Sequence, residues 1–344
     1  MSKRLTVLSV IISINLLVCG CGLFSGEAPI DEGVVIAPKS KIRSSTAPVA
    51  LDVAEVKRGD KVDILDQAEV KTPTRVEEWY RVRTRGKDSI TGWIEARSII
   101  NKAIASQIDT LFDQSRSILS QGTGRLKVQT RLRVEPGSDG EIATLLSRNT
   151  PVEIVGTVRT AYKPNRDEGD SGAAEAEEEP EARTVLWYQV RLSETEVLRA
   201  GFVGAQQVQL DVPDEILHLE GDGRRFTSWI VFDQTKLKSG ELKNNYIGLM
   251  KGLGTEGPID FTRIWVLNYN PDTRRYNGSY IEGDLRGILP ITLDTDSGLK
   301  GFSFQELDAD NKPVTVKYQL VRESVTRVRV ARLSPKIQIR KSRR

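Results

Sequence analysis

Apolar positions in this chain alternate with polar ones far more often than they fall at helical spacing. Val62-Asp63-Ile64 and Val152-Glu153-Ile154 each set branched apolar residues on either side of an acid, the period of a half-buried strand. Trp79-Tyr80-Arg81-Val82 and Trp187-Tyr188-Gln189-Val190 continue the pattern, and a glycine precedes the next apolar pair in Gly92-Trp93-Ile94 and Gly201-Phe202-Val203. One segment breaks the rule. Ile104, Ile108, Leu111, Phe112 and Ile118-Leu119 share one face of a helix, with Asn101 placed to cap its start and Gly122 to end it. The spacing predicts an amphipathic helix over 102–121 that packs against a neighbouring barrel, with an oligomerising helix as the alternative.

The strand segments form a repeat. Arg43, Arg58, Val62 and Ile64 return ninety residues later as Arg133, Arg148, Val152 and Ile154, and the Trp-Tyr and Gly-aromatic segments follow in the same order. An Arg near the start, a Gly-x-x-Val turn and strand (Gly59-Asp60-Lys61-Val62), Trp-Tyr-x-Val and Gly-Trp-Ile together resemble the bacterial SH3-like domain. The resemblance covers residues 41–101 and 122–210 and implies two small β-barrels. Copy two departs at Asn149, which replaces the turn glycine, and at Phe202, which replaces a tryptophan. Asparagine tolerates left-handed backbone angles better than most residues, so the turn should survive. Copy two also carries an insertion over 162–183, rich in Asp, Glu, Gly and Ala and nearly free of apolar residues, which predicts a disordered loop.

From 211 to 334 the repeat stops and longer β-branched and aromatic runs take over: Phe226 to Phe232, Phe261 to Tyr269, Ile288 to Leu293, Val314 to Val321 and Val325 to Leu333. Tyr276-Asn277-Gly278-Ser279-Tyr280 reads as a hairpin turn flanked by aromatics. The region predicts an antiparallel β-sandwich or barrel, so the expected fold is mainly β: two SH3-like barrels, one linking helix and a C-terminal β domain. A basic tail, 335–344, ends the chain. From Val321 onward nine Lys or Arg stand against Glu323 alone, a distribution suited to guarding an exposed sheet edge.

The N-terminus reads as an address. Lys3 and Arg4 precede an apolar run from Leu5 to Val18 that is shorter than the roughly 20 residues a bilayer span needs, the layout of a secretory signal peptide. Val18-Cys19-Gly20-Cys21-Gly22 resembles the lipobox of bacterial lipoproteins. That resemblance places acylation at Cys21, with Gly20 before the cut and residues 21–40 as a tether; Cys19 fits less well because bulky Val18 precedes it. The lipoprotein resemblance implies a membrane anchor and, with Gly22 after the cysteine, an outer membrane facing the periplasm.

Composition narrows the chemistry. The chain has 344 residues, 50 Lys and Arg against 47 Asp and Glu, and a net charge of +3, which argues against nucleic acid as a partner. One histidine, His218, and two cysteines, Cys19 and Cys21, leave no parts for a Cys-His peptidase or a Cys/His zinc site, and no cofactor or metal is expected. His218 is expected as a linker or packing residue. Gly252-Leu253-Gly254-Thr255-Glu256-Gly257 matches a dinucleotide fingerprint in letters, but Pro258 follows where a helix should begin, so a turn is expected. Asp294, Asp296 and Gly298 hold only part of a calcium loop and read as a surface turn. Tyr246, Trp265, Tyr269 and Tyr280 could line a groove or pack the core.

These features predict a non-catalytic envelope lipoprotein. The SH3-like resemblance implies binding of a cell-wall peptide or an envelope protein, with Tyr80, Trp93 and Tyr188 as candidate contacts and Trp79 and Trp187 as core. The alternatives are a scaffold subunit of an envelope complex and a carboxylate-dependent hydrolase in the last domain.

Overall fold

A computed structural model describes residues 27–328 apart from 73–74, 163–183, 194–196, 256, 295–299 and 322–323. The signal segment, Cys21, the acidic insertion beyond Tyr162 and the basic tail lie outside the described residues, as do Asp296 and Gly298. The chain divides into two compact units, Met1–Lys102 and Ala103–Arg344.

The first unit is a curled antiparallel sheet of seven strands: β1 (Asp31–Val35), β2 (Lys39–Arg43), β3 (Asp52–Lys57), β4 (Lys61–Lys71), β5 (Val76–Thr84), β6 (Thr91–Glu95) and β7 (Ile99–Asn101). Its order is β3-β2-β6-β5-β4-β1-β7. The half-barrel closes on Val35, Ile42, Val56, Val62, Ile64, Val82, Ile94 and Ile99. The predicted tether over 21–40 therefore gives way to strands at Asp31. Val34-Val35-Ile36 buries Val35 and Ile36, and β1 pairs with both β4 and β7, supplying a strand that the module's core requires.

Helix α1 (Lys102–Ser115) leads into the second unit, which repeats the sheet as β8 (Gly122–Leu126), β9 (Thr130–Arg133), β10 (Ile142–Leu146), β11 (Pro151–Ala161), β12 (Thr184–Arg191), β13 (Ala200–Gly204) and β14 (Val208–Leu210), in the order β10-β9-β13-β12-β11-β8-β14. The two orders are the same strand for strand. Both copies bulge after the same isoleucine, at Ile64/Asp66 and Ile154/Gly156. Gly59 and Asn149 take φ of 90° and 65°, so asparagine does supply the left-handed turn. In both copies the repeated arginine lies 5.9 Å over the repeated tryptophan, Arg43 over Trp79 and Arg133 over Trp187.

Helix α1 ends at Ser115, six residues short of the expected limit. The Ser115 hydroxyl turns back to the Phe112 carbonyl, and Arg191 Nη1 takes the freed carbonyls of Ser115 and Arg116. Arg199 stacks 4.3 Å over Phe112, so the apolar face packs against the second module.

The last domain has a short helix, α2 (Asp214–Leu217), and two four-stranded antiparallel sheets. One sheet holds β15 (Arg224–Lys236), β16 (Leu242–Gly252), β17 (Arg263–Asn270) and β18 (Arg275–Glu282); the other holds β19 (Gly287–Asp294), β20 (Gly301–Leu307), β21 (Pro313–Val321) and β22 (Ser324–Val328). They share a core of Ile247, Leu249, Ile264 and Val266 against Ile291, Phe302, Phe304 and Tyr318, which makes a sandwich. The outer face of the first sheet buries Phe226, Trp229, Tyr246, Met250 and Leu267 beneath Ile216 of α2. The central strands β16 and β17 are thus covered on both faces, while Ile281 of β18 stays exposed. The expected hairpin at Asn277-Gly278 is absent. Gly278 lies within β18 opposite Leu267, with a bulge at Ser279, and Trp265 packs so closely over Gly278 that no side chain would fit there. The turn falls instead between Asn270 and Arg275, where Arg274 has φ of 55°.

Candidate binding site

Directly opposed residues on neighbouring strands share a face, and successive residues alternate. Tyr80 opposes Ile94 and Gln67, so it stands on the concave face with Val82, packed against the half-barrel core. Trp93 opposes Arg81 and Arg43, and so stands on the convex face beside the buried Trp79. The two candidate aromatics of the first module therefore point to opposite sides of one sheet and form no common groove. Both are half-buried. Trp79 and Trp187 are buried, but on this convex face under their arginines rather than inside the barrel.

Tyr188 holds in the second module the position of Tyr80, opposing Val203 and Thr157. Its surroundings differ. Burial, and then the charge of Asp260, push its hydroxyl pKa up to about 12. Asp260 comes from the last domain and its side chain is only 2% exposed. It accepts hydrogen bonds from Thr157 Oγ1 at 2.6 Å, Arg159 Nη2 at 2.6 Å and the Leu289 backbone N–H at 2.8 Å. Arg159 and Lys251 Nζ both donate to the Ile259 carbonyl at 2.8 Å, and burial, with Arg159 nearby, holds the Lys251 pKa below its ordinary value.

A second polar knot lies beside the first. The wholly buried Gln121 accepts from the Ile291 N–H at 2.7 Å and donates to the carbonyls of Ile291 and Leu119. Its backbone carbonyl takes the Trp229 N–H at 3.1 Å and the Ser228 hydroxyl, and the Trp229 ring lies over Gly122. Buried polar groups cost free energy unless satisfied, and here each is satisfied across the seam between the second module and the last domain. Tyr188 is thus part of an internal junction. Sequence reasoning missed Gln121, Arg159 and Asp260; the one available signal was a lone acid inside the apolar run Ile259-Asp260-Phe261.

Of the remaining aromatic candidates, Tyr246, Trp265 and Tyr269 share the outer face of the first sheet around Tyr276, whose ring centroid lies 5.8 Å from that of Tyr246, and Tyr280 stands apart. Tyr246 is buried and donates to Glu215 at 2.8 Å, Tyr269 and Tyr276 pack edge-on with centroids 5.3 Å apart, and Tyr280 lies against the core between the sheets. Tyr280 and Tyr318 donate to Glu282 at 2.6 and 2.7 Å, and Arg327 joins them. Burial alone would raise the Glu282 pKa, but these three donors outweigh it and hold the carboxyl below its ordinary value. An anion so fully engaged is a clasp between the sheets rather than a proton acceptor. His218 is exposed at the end of α2. Gly252 ends β16 and the next described element is a strand, so the glycine-rich segment makes no helix-borne phosphate cradle. A cleft of about 580 Å³ beside it has Arg224, Asp284 and Arg286 on its walls, with Arg286 already bonded to the Asp308 carbonyl and Asn311. Among the described residues no group of His, Cys, Asp and Glu could hold a metal ion, and no helix is long and apolar enough to cross a membrane.

No protein-family profile and no curated protein matches the chain. Among solved structures it is similar to NlpC2 from Trichomonas vaginalis, at 13% identity and a TM-score of 0.17, over 58% of this chain and 53% of that one. It is also similar to NlpC1 from the same organism, at 15% identity and a TM-score of 0.17, over 58% of this chain and 50% of that one. The chain thus spans about half the length of each, and a TM-score this low assigns neither a fold nor an activity.

Proposed function

We propose that this chain is a non-catalytic envelope lipoprotein, anchored through a lipid on Cys21 and facing the periplasm from the outer membrane, whose first SH3-like module binds cell-wall material or another envelope protein. The observation that carries the assignment to the first module is the contrast between Tyr80, beside exposed Gln67 and Glu69, and Tyr188, beside Asp260. The same strand positions are accessible in one copy and engaged within the protein in the other. The signal segment and the Val18-Cys19-Gly20-Cys21 sequence support the anchor. A scaffold subunit is the second reading, favoured by the Gln121 and Asp260 junctions that fuse module two to the last domain.

Soluble protein from Gly22 onward would be co-sedimented with purified cell-wall sacculi across a salt series. Tyr80→Ala and Trp93→Ala are made separately, because they report on opposite faces. Binding that persists at about 0.3 M salt, where charges are screened beyond roughly 6 Å, and that one folded variant abolishes, supports a cell-wall reader. Absence of binding together with stable co-purification of an envelope protein supports the scaffold reading. Activity on a cell-wall substrate that is lost with one Asp or Glu would overturn the non-catalytic assignment.

A further inference from the structure

The two modules can be superposed residue by residue through their strand registers, and the junction on module two then marks a face on module one. Ile64 pairs with Asp31 as Ile154 pairs with Gly122, and the N–H of Ile30 donates to Ile64 as that of Gln121 donates to Ile154, each at 2.8 Å. Gln67 opposes Tyr80 as Thr157 opposes Tyr188, and Glu69 opposes Glu78 as Arg159 opposes Leu186. The module-two positions at and beside this junction therefore have counterparts of different chemistry. Ile30 replaces Gln121, Asp31 replaces Gly122, Gln67 replaces Thr157, Glu69 replaces Arg159 and Glu78 replaces Leu186, around a tyrosine present in both.

This counterpart face has the properties of a docking surface. Ile30, just before β1, is 64% exposed. Gln67, Glu69 and Glu78 are exposed, and among the described residues neither glutamate has an ion-pair partner, although the two stand directly opposite each other. Like charges in opposed positions destabilise a strand pair, so the barrel gains nothing from this arrangement. Burial, then Glu78 and Asp31, raise the Tyr80 hydroxyl pKa. Where module two presents a cation to a buried aspartate, module one presents three carboxylates around a tyrosine and an isoleucine.

We propose that the face made by Ile30, Asp31, Gln67, Glu69, Glu78 and Tyr80 receives a loop of a partner protein that carries a Lys or Arg between apolar residues, seated as Ile259-Asp260-Phe261 is seated on module two but with the charges reversed. The inference rests on the reading of module one as a binding module and names its partner class. Apolar flanks would cover Ile30 and Tyr80, and the cation would relieve the Glu69–Glu78 repulsion. The opposed charges give specificity, since a loop like that of the last domain would bring an aspartate against carboxylates.

The test uses two disulfide-closed 12-residue hairpin peptides, one with Ile-Lys-Phe at its tip and one with Ile-Asp-Phe, titrated calorimetrically into the chain from Gly22 onward at low salt. The lysine hairpin should bind at least tenfold more tightly. Glu69→Arg combined with Glu78→Leu, which installs the side chains of module two at exposed positions, should reverse the preference. Glu55→Arg on β3, an exposed site on another hairpin, makes the same charge change as Glu69→Arg and should leave the preference intact. The proposal is overturned if neither hairpin binds at millimolar concentration, if the double variant keeps the original order, or if Glu55→Arg reverses it. Sacculus binding by the same variants separates the two readings: hairpins that fail while sacculi still bind remove this inference alone.

Discussion

Asp260→Ala tests whether module two and the last domain are welded by the buried carboxylate or merely touch there. The side chain accepts three hydrogen bonds, one from a guanidinium whose side chain is 15% exposed. Removing one member of a buried ion pair costs about 3–5 kcal/mol, because the survivor keeps its charge without a partner. The Leu289 N–H would also lose its acceptor, a penalty of about 1–3 kcal/mol unless water enters. Two features lower the sum. Arg159 retains the Ile259 carbonyl at 2.8 Å and can turn toward solvent. The net expectation is about 3 kcal/mol, a factor of roughly 150 in the opening equilibrium. With a urea slope near 3 kcal/mol per molar for a unit of this size, the midpoint should fall by about 1 M. Tryptophan fluorescence reports it, since Trp187, Trp229 and Trp265 lie in the second unit and Trp79 and Trp93 in the first. Arg159→Ala should cost a similar amount. The double variant should cost less than the two together by more than about 1 kcal/mol, because neither charge is then left stranded. A midpoint shift under about 0.3 M for Asp260→Ala, or an additive double variant, would refute the weld.

Three further outcomes follow from the geometry. Gly92→Ala and Gly201→Ala should each destabilise their own module by about 2 kcal/mol in urea unfolding, because a Cβ would stand 2.5 Å from the Arg43 carbonyl in one and 2.7 Å from the Arg133 carbonyl in the other; Gly221→Ala, with nothing within 4 Å, should be close to neutral. Trp229→Ala should cost about 3–5 kcal/mol and open the seam at Gly122, read as faster hydrogen exchange at the Trp229 and Ile291 amides, which bond to Gln121. The folded pKa of Glu282 lies below its unfolded value, so its contribution is present in full above about 4.3 and is lost as pH falls through the lower folded value; urea unfolding from pH 7 to pH 3 should show a shallower acid limb for Glu282→Gln than for the parent.

Much of the fold was legible because it rests on short-range grammar. The alternation in β4 and β11, the Trp-Tyr-x-Val strands and the glycines of β6 and β13 each specify local geometry, and the same set occurring twice fixed the shared topology. β1 was not legible, since its apolar residues are few and lie among acids and glycines that read as tether. The Asn277-Gly278 pair misled for the opposite reason: a strong local turn signal was overridden by Trp265, which needs a residue without a side chain beneath it. The junction was least legible of all. Gln121 and Ile291 are 170 residues apart, and nothing near either marks the other. The candidate aromatics failed as a set because a face is decided by register, and Tyr80 and Trp93 differ by one step in theirs.

The duplicated sheet separates what the module needs from what it is free to change. Core positions keep their character in both copies: Val62 and Val152, Ile64 and Ile154, Val82 and Val190 are all buried. So do the arginine–tryptophan stacks at 5.9 Å and the cross-strand ion pairs, Arg83 with Asp63 and Arg191 with Glu153. The concave rim keeps only its tyrosine. In module two the rim residues are committed to Asp260, Ile291 and Trp229, and a rigid internal wall needs polar groups whose partners are fixed in the same chain. In module one the same positions hold an exposed isoleucine and opposed glutamates, and like charges directly opposed weaken a strand pair. Under the proposal for module one, its opposed glutamates are costly when bare and relieved when a partner's cation covers them, whereas the rim of module two is already satisfied within the chain.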